Sequence, residues 1–88
     1  MIAAGDKISP AEVIRRFGNV CYLCDREIDV MIDDPNDPGY LNIDHIIPIR
    51  RGGQHLWDNV APTHRKCNMS KGAKLVAPPV GWKGTWTR

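Results

Sequence analysis

The sequence has few of the features that usually stabilise a domain of its size. It is 88 residues long, with a single phenylalanine and three cysteines. A hydrophobic core of this size alone gives only marginal stability. Three cysteines cannot all pair with one another, which argues against a disulfide framework. We therefore expect another stabilising element, and a bound metal ion is the first candidate.

The sequence also lacks the segments that would direct it to a membrane. No apolar run approaches the ~20 residues of a transmembrane helix, and Met1 leads directly into polar sequence without an apolar signal segment. We expect a reducing, cytoplasmic environment, where cysteines bind metal or stay free. No internal repeat or linker divides the chain, so we expect one domain over residues 1–88.

Acidic and basic side chains are unevenly distributed along the chain. Residues 1–44 carry four basic and nine acidic side chains, whereas residues 45–88 carry eight basic and one acidic. The two halves thus have net charges of −5 and +7. A solvated basic face would explain the second half, and so would a surface that binds a polyanion, with nucleic acid the first choice.

The first predicted element is a short helix over about residues 10–17. Ser9 and Glu12 form a capping box around Pro10, the residue expected at the first helical position. Gly18 suits the position that ends a helix. After a cysteine-rich turn, residues 29–40 are rich in Asp, Pro, Asn and Gly, which predicts an acidic loop.

The second half of the chain predicts strands followed by a helix. Leu41 to Ile47 is the best strand candidate, and a Gly-Gly turn follows it. Residues 60–62 predict a second strand that Pro62 would end. A second helix is expected from Thr63 to about Lys74. The elements together predict a small α+β fold, followed by an irregular tail over residues 78–88.

Two pairs of metal-binding residues lie far apart in the sequence. Cys21 and Cys24 have the spacing C-x-x-C, and His64 and Cys67 have the spacing H-x-x-C. A gap of two residues lets both side chains of a turn point at one ion, and two such pairs complete a tetrahedral zinc site. Four protein ligands leave no open position, so we expect this zinc to be structural.

Together with these two pairs, the rest of the sequence resembles the HNH endonucleases, which share the ββα-metal nuclease fold. The resemblance rests on C-x-x-C, then IDHIIPIRRGG, then DNVAPTHRKCNMSKG, over about residues 20–74. It implies a small ββα-metal domain with an N-terminal helix and a structural zinc. Many zinc-bearing members have cysteine where this chain has His64, and histidine leaves one less negative charge on the site.

The resemblance also implies a role for each residue of the motif. His45 resembles the general base that takes a proton from the attacking water, and an imidazole suits that task near neutral pH. Asp44 and Asn68 resemble the protein ligands of a catalytic divalent metal, and their oxygen atoms favour Mg²⁺ or Mn²⁺. Asn59 resembles the asparagine that ties the loop between the strands and orients His45.

The resemblance implies DNA as substrate, cut to leave 3′-hydroxyl and 5′-phosphate ends. Lys71 would face the phosphate near Asn68. His55, in the turn after Gly53, is expected either to be exposed to solvent or to make a minor phosphate contact, and no role is assigned to it. Small stand-alone HNH proteins of phages are similar in length, which points to packaging proteins (terminase, portal) as further partners. The expected phosphate contacts are Arg50, Arg51, Arg65, Lys66, Lys71 and Lys74.

Two other classes of function stay open at this point. A zinc module that binds nucleic acid without cutting it would have the same basic surface, and a zinc-dependent protein-interaction domain would explain the cysteines. Neither needs a carboxylate beside a histidine. In the tail, Trp82 and Trp86 either cover the core, which we expect, or form an arm that stacks on nucleic acid.

Overall fold

The computed structural model describes residues 5–78 and Trp82. The first helix, α1 (Pro10–Phe17), begins where the capping box predicts. The Ser9 Oγ accepts a hydrogen bond from the backbone N–H of Glu12, with N and O 3.2 Å apart. The N–H of Gly18, at φ +80°, donates to the carbonyl of Ile14 and ends the helix. The prediction of this helix is confirmed.

Two antiparallel strands form the sheet, β1 (Leu41–His45) and β2 (Val60–His64). Their register pairs His45 with Val60, so the end of β1 meets the beginning of β2. The prediction that β1 extends to Ile47 is wrong. Beyond His45, the pairing passes to Asn59, whose backbone carbonyl accepts from the N–H of Ile46 at 2.9 Å.

Pro62 does not end the second strand, contrary to the prediction. It lies in the middle of β2, opposite Ile43. Its carbonyl accepts a hydrogen bond from the N–H of Tyr22 at 3.1 Å, so its backbone faces away from β1. In a sheet of two strands this outer edge has no ladder hydrogen bonds to lose, and proline is tolerated there.

The second helix, α2 (Arg65–Lys71), is shorter than predicted at both ends. It begins later because β2 continues to His64. It ends earlier because Gly72 adopts a positive φ of +58°, and its N–H closes the last turn on the carbonyl of Asn68. None of the helices in the described ranges is long and apolar enough to cross a membrane.

The core lies between α1, the sheet and the cysteine-rich turn. Val13, Phe17 and Val60 form one buried cluster, and a second surrounds Tyr22. Trp82 packs against both, with its ring centroid 5.2 Å from that of Phe17. This agrees with the expectation that the tail covers the core, whereas Trp86 lies outside the described residues.

Candidate active site and metal centre

The two pairs of cysteine and histidine meet at one point in the fold. Their four donor atoms all lie within 4.8 Å of one another. Cys21 and Cys24 come from the turn after α1, His64 ends β2, and Cys67 lies in the first turns of α2. Folding therefore closes a segment of about forty residues, as the spacing predicts, and builds a candidate metal centre.

The ring of His64 is oriented for metal binding by a backbone carbonyl. Its Nε2 lies 2.9 Å from the carbonyl oxygen of Glu27, so Nε2–H donates there and Nδ1 keeps its lone pair. That Nδ1 lies 3.4 Å from the Sγ of Cys24 and 3.8 Å from the Sγ of Cys67. Donors ~2.3 Å from a tetrahedral ion are about 3.8 Å apart, so the four residues fit zinc.

The pKa values of the thiols in the cluster also favour the binding of a cation. Although burial raises the pKa of Cys21, hydrogen bonds from Thr63 and from neighbouring backbone groups outweigh it and lower that pKa to about 6. Burial, followed by the charge of Cys21, raises the pKa of Cys67 to about 12. One thiolate thus opposes the formation of the next, and a metal ion removes this conflict because it binds the deprotonated forms.

Asp44 is buried beside this centre, at the end of β1. Its residue surface is 7% exposed. Its Oδ2 accepts hydrogen bonds from the hydroxyl of Tyr22 and from the Nζ of Lys71, the latter at 3.0 Å. Burial and the bond to Asp44 together raise the pKa of Tyr22 strongly, which keeps its hydroxyl protonated. Among the described residues nothing bonds to Oδ1, so that oxygen is left for a cation.

The position of Lys71 differs from the expectation that it faces a phosphate. Its side chain is 2% exposed, and its Nζ bonds to the backbone carbonyl of His45 and to Asp44, both at 3.0 Å. Lys71 therefore joins α2 to β1 beneath the site. Lys71 is therefore not one of the exposed cations that could contact DNA.

His45 is half-buried at the end of β1, next to Asp44. Its Nε2 lies 2.9 Å from the Nδ1 of His55, a residue for which the sequence predicts no role. Burial lowers the pKa of His45 below its ordinary value, and the neighbouring imidazole of His55 adds to this effect, while the carboxylate of Asp44 opposes it. His45 is therefore held in the neutral form that a general base requires.

Asn59 ties the loop after β1 to the beginning of β2. Its Oδ1 accepts from the N–H of Ile47 at 2.8 Å, and its Nδ2 donates to the carbonyls of Ile47 at 3.0 Å and Gln54 at 2.9 Å. Gly53 passes so close that a Cβ there would lie 1.7 Å from the carbonyl oxygen of Ile47. The turn is thereby held tightly against the residues that follow His45.

Asn68 lies half-buried in α2, one helical turn before Lys71. Residues three apart share one face of a helix, so Asn68 lies on the face from which Lys71 reaches Asp44 and the carbonyl of His45. A carboxylate oxygen and an amide oxygen are hard donors of the kind that Mg²⁺ and Mn²⁺ prefer. By the chemistry of their donor atoms, Asp44 and Asn68 fit such an ion.

Several cations surround this site. Four of the expected phosphate contacts are exposed and Arg65 is half-buried. The Nε of Arg51 donates to the carbonyl of Ala73 at 2.7 Å, which connects the turn after β1 to the end of α2. A groove of about 510 Å³ beside the metal centre is lined by side chains that include Lys66 and Lys74. The four exposed cations are Arg50, Arg51, Lys66 and Lys74.

Sequence reasoning missed two residues of the site. The sequence predicts Tyr22 only as part of the cysteine-rich turn, and no local pattern shows that its hydroxyl contacts a carboxylate 22 residues away. For His55 the sequence predicts only an exposed side chain or a minor phosphate contact. The only signal for it was a titratable side chain directly after the turn that Gly53 and Asn59 hold.

Comparison with known proteins agrees with this geometry. A family model described as HNH endonuclease matches residues 21–74, which is more than half of the chain. No curated protein and no solved structure matches the chain. The matched region runs from Cys21 to Lys74 and contains the metal centre, both strands and α2. The chain belongs to the HNH endonuclease family, whose members are nucleases.

Proposed function

We propose that this protein hydrolyses phosphodiester bonds of DNA with the help of a divalent metal ion. The observation that carries the proposal is the position of His45, a half-buried imidazole that follows the buried Asp44 in β1 and whose pKa is affected by that carboxylate. Its pKa is lowered, mainly by burial. A neutral imidazole next to a carboxylate is the arrangement needed to activate water beside a bound cation.

In this proposal His45 takes a proton from water, and the resulting hydroxide attacks phosphorus. A bond forms between the water oxygen and phosphorus, and the bond from phosphorus to O3′ breaks. The departing O3′ takes up a proton, which leaves a 3′-hydroxyl on one product and a 5′-phosphate on the other. General-base help of this kind typically contributes ~10²–10⁴-fold.

Asp44, through Oδ1, and Asn68, through its side-chain oxygen, would hold the catalytic ion. Mg²⁺ or Mn²⁺ bound there would neutralise charge on the phosphate. The bonds from Tyr22 and Lys71 both end on Oδ2, so they orient the carboxylate and leave its other oxygen free. Lys71 holds the carbonyl of His45 and Asn59 holds the N–H of Ile47, so together they fix the backbone at and after His45 and hold the base in place.

We further propose that the cluster of Cys21, Cys24, His64 and Cys67 binds a structural zinc ion. All four positions around the ion are then filled by protein, so the zinc would not take part in hydrolysis. Its support is the donor spacing and the hydrogen bond that fixes the ring of His64. Zinc would connect the turn after α1 to α2. Because Tyr22 in that turn bonds to Asp44, and α2 carries Asn68, the zinc would help to set the distance between Asp44 and Asn68.

DNA would approach over the exposed cations around the site. Arg50 and Arg51 lie in the turn after β1, and Lys66 and Lys74 line the groove beside the metal centre, with Arg65 at the beginning of α2. Their contacts would be to phosphates and would not depend on sequence. A role in phage DNA packaging in the host cytoplasm, with terminase or portal as partners, rests on the family resemblance alone, and co-purification with those proteins would test it.

Incubation with supercoiled plasmid across a panel of divalent metals tests the proposal. We expect nicked or linear products with Mg²⁺ or Mn²⁺ and none with a chelator. Asn68→Ala should raise the metal concentration required, whereas Asn36→Ala, in the acidic loop, should not. Binding of plasmid without cleavage under every metal would instead favour a non-enzymatic nucleic-acid module.

A further inference from the structure

Two imidazoles lie in direct contact at the end of β1. The Nε2 of His45 and the Nδ1 of His55 are 2.9 Å apart, and the ring centroids are 5.2 Å apart. A distance of this length is a hydrogen bond, in which one nitrogen carries the proton and the other accepts it. We propose that His55 is a positioning residue for His45. The Nδ1 of His55 accepts the His45 Nε2–H and leaves Nδ1 of His45 as the basic nitrogen.

The direction of this hydrogen bond decides whether His45 can act as a base. A neutral imidazole has one N–H and one lone pair. If His45 donates through Nε2, its Nδ1 keeps a lone pair for water. If His55 donates instead, the lone pair of His45 is occupied and its Nδ1 carries a proton. The inference rests on the proposed function, because it assigns the direction that makes His45 a base.

The backbone around His55 is held on both sides. The carbonyl of His55 accepts from the N–H of Asp6 at 2.9 Å, and the carboxylate of Asp6 accepts from the N–H of Trp57 at 2.8 Å. On the other side, the carbonyl of Gln54 accepts from Asn59. Two of these bonds join the loop to Asp6, before α1, and the third joins it to Asn59, next to β2, so the backbone that carries the imidazole of His55 is placed by the fold.

The segment before α1 packs closely against the same loop. A Cβ at Gly5 would lie 2.4 Å from the carbonyl oxygen of His55, so only glycine fits without a shift of the backbone. The guanidinium of Arg16 lies 3.8 Å from the ring centroid of Trp57 and holds the far end of the loop against α1. Thus α1 and the segment before it, which lie outside the residues matched by the family model, support the candidate base through His55.

A purely structural role would not account for His55, because its side chain is exposed. Surface substitutions usually change the free energy of unfolding by less than about 0.5 kcal/mol. We therefore expect His55→Ala to melt at the temperature of the parent and to bind DNA with the same affinity. Its rate of cleavage at saturating DNA should fall by about 10- to 100-fold, the usual cost of losing a group that orients a catalytic side chain.

Four further variants sharpen this test. His55→Asn places an amide oxygen near the position of Nδ1 and should restore most of the rate, while Gln54→Ala, an exposed neighbour, should cleave like the parent. Asp6→Ala removes the acceptor of the Trp57 N–H and should slow cleavage, whereas Asp6→Asn keeps an acceptor and should not. Cleavage by His55→Ala at the rate of the parent would overturn the proposal.

A spectroscopic measurement tests the hydrogen bond without any cleavage assay. In protein with ¹⁵N-labelled histidine, the proton between the rings should be bonded to the Nε2 of His45 and show scalar coupling to the Nδ1 of His55. A proton bonded to Nδ1 of His55, or no coupling between the rings, would overturn the proposal. If the parent cuts no DNA with any metal, the proposed function fails, and this measurement still decides the role of His55.

Discussion

The ammonium of Lys71 lies 3.0 Å from the carboxylate of Asp44, and these side chains are only 2% and 9% exposed. Lys71 belongs to α2 and Asp44 to β1, so the ion pair joins the helix to the sheet inside the protein. Charges so deeply buried need a partner, because water no longer solvates them. The hydroxyl of Tyr22 donates a hydrogen bond to the same oxygen of Asp44.

Removing one member of this pair should strongly destabilise the fold. Lys71→Met leaves a buried carboxylate without its cation, and we expect the free energy of unfolding to fall by about 3–5 kcal/mol. Chemical denaturation of the zinc-loaded protein measures the change. Lys74→Met, at an exposed lysine, is the matched control and should have little effect.

A double variant separates the ion pair from the packing of the lysine. Asp44→Asn combined with Lys71→Met removes both charges, so it should be more stable than Lys71→Met alone. If the double variant were less stable than Lys71→Met, the ion pair would not be the source of the effect.

Removal of zinc should unfold the protein. The core is small, and the metal centre connects the turn after α1 to α2. We expect about one zinc per chain by elemental analysis, and loss of the helical circular dichroism signal with a strong chelator, because the energy of zinc binding is part of the energy of folding. Adding zinc back should restore the signal. A protein that stays folded without metal would contradict a structural role for the cluster.

Trp82 should contribute to stability rather than to DNA binding. Its ring lies 5.2 Å from Phe17 and 6.2 Å from Tyr22, between the two buried clusters. We expect Trp82→Ala to lower the free energy of unfolding by about 3 kcal/mol, and Leu75→Ala, at an exposed residue, to change it by less than about 0.5 kcal/mol. Unchanged melting with weaker, less salt-dependent DNA binding would mean that Trp82 instead contacts nucleic acid.

The cleavage rate should rise with pH through the titration of His45. Burial disfavours the charged imidazolium of His45, as do the neighbouring imidazole of His55 and the charge of Lys71, while Asp44 favours it; the net shift lowers the pKa of His45 from 6.5. The neutral base should therefore persist to a lower pH than that of a free imidazole, with half-maximal rate below pH 6.5. A profile of rate at saturating DNA and metal checks this. Half-maximal rate above that pH would contradict the assignment of the base.

The features that the sequence predicted depend on contacts between near neighbours. The boundaries of α1 follow from Ser9, Glu12 and Gly18, which lie within ten residues of one another. Each half of the metal centre follows from a spacing of two residues. The role of Asn59 could be predicted from its place in the motif. Its bonds to the loop have the form expected of an asparagine in a turn.

The features that the sequence did not predict depend on how distant segments meet. Pro62 was expected to end β2, but the outcome depended on which edge of the strand faces its partner, and the carbonyl of Pro62 faces the backbone of Tyr22 instead of β1. Lys71 was expected at the surface because lysine usually lies there, and only the approach of α2 to β1 shows its partner. The contact of His55 with His45 requires a loop whose shape is set by Asp6 and Asn59.

The most direct test of the central claim is the rate at which zinc-loaded His45→Ala cuts supercoiled plasmid in Mg²⁺ or Mn²⁺, compared with the parent. We expect the rate to fall by at least about 100-fold. Zinc content and melting temperature should be unchanged, because His45 is not a ligand of the metal centre and its backbone contact with Lys71 is retained. A His45→Ala protein that cuts plasmid as fast as the parent would contradict the account, since hydrolysis would then not depend on this base.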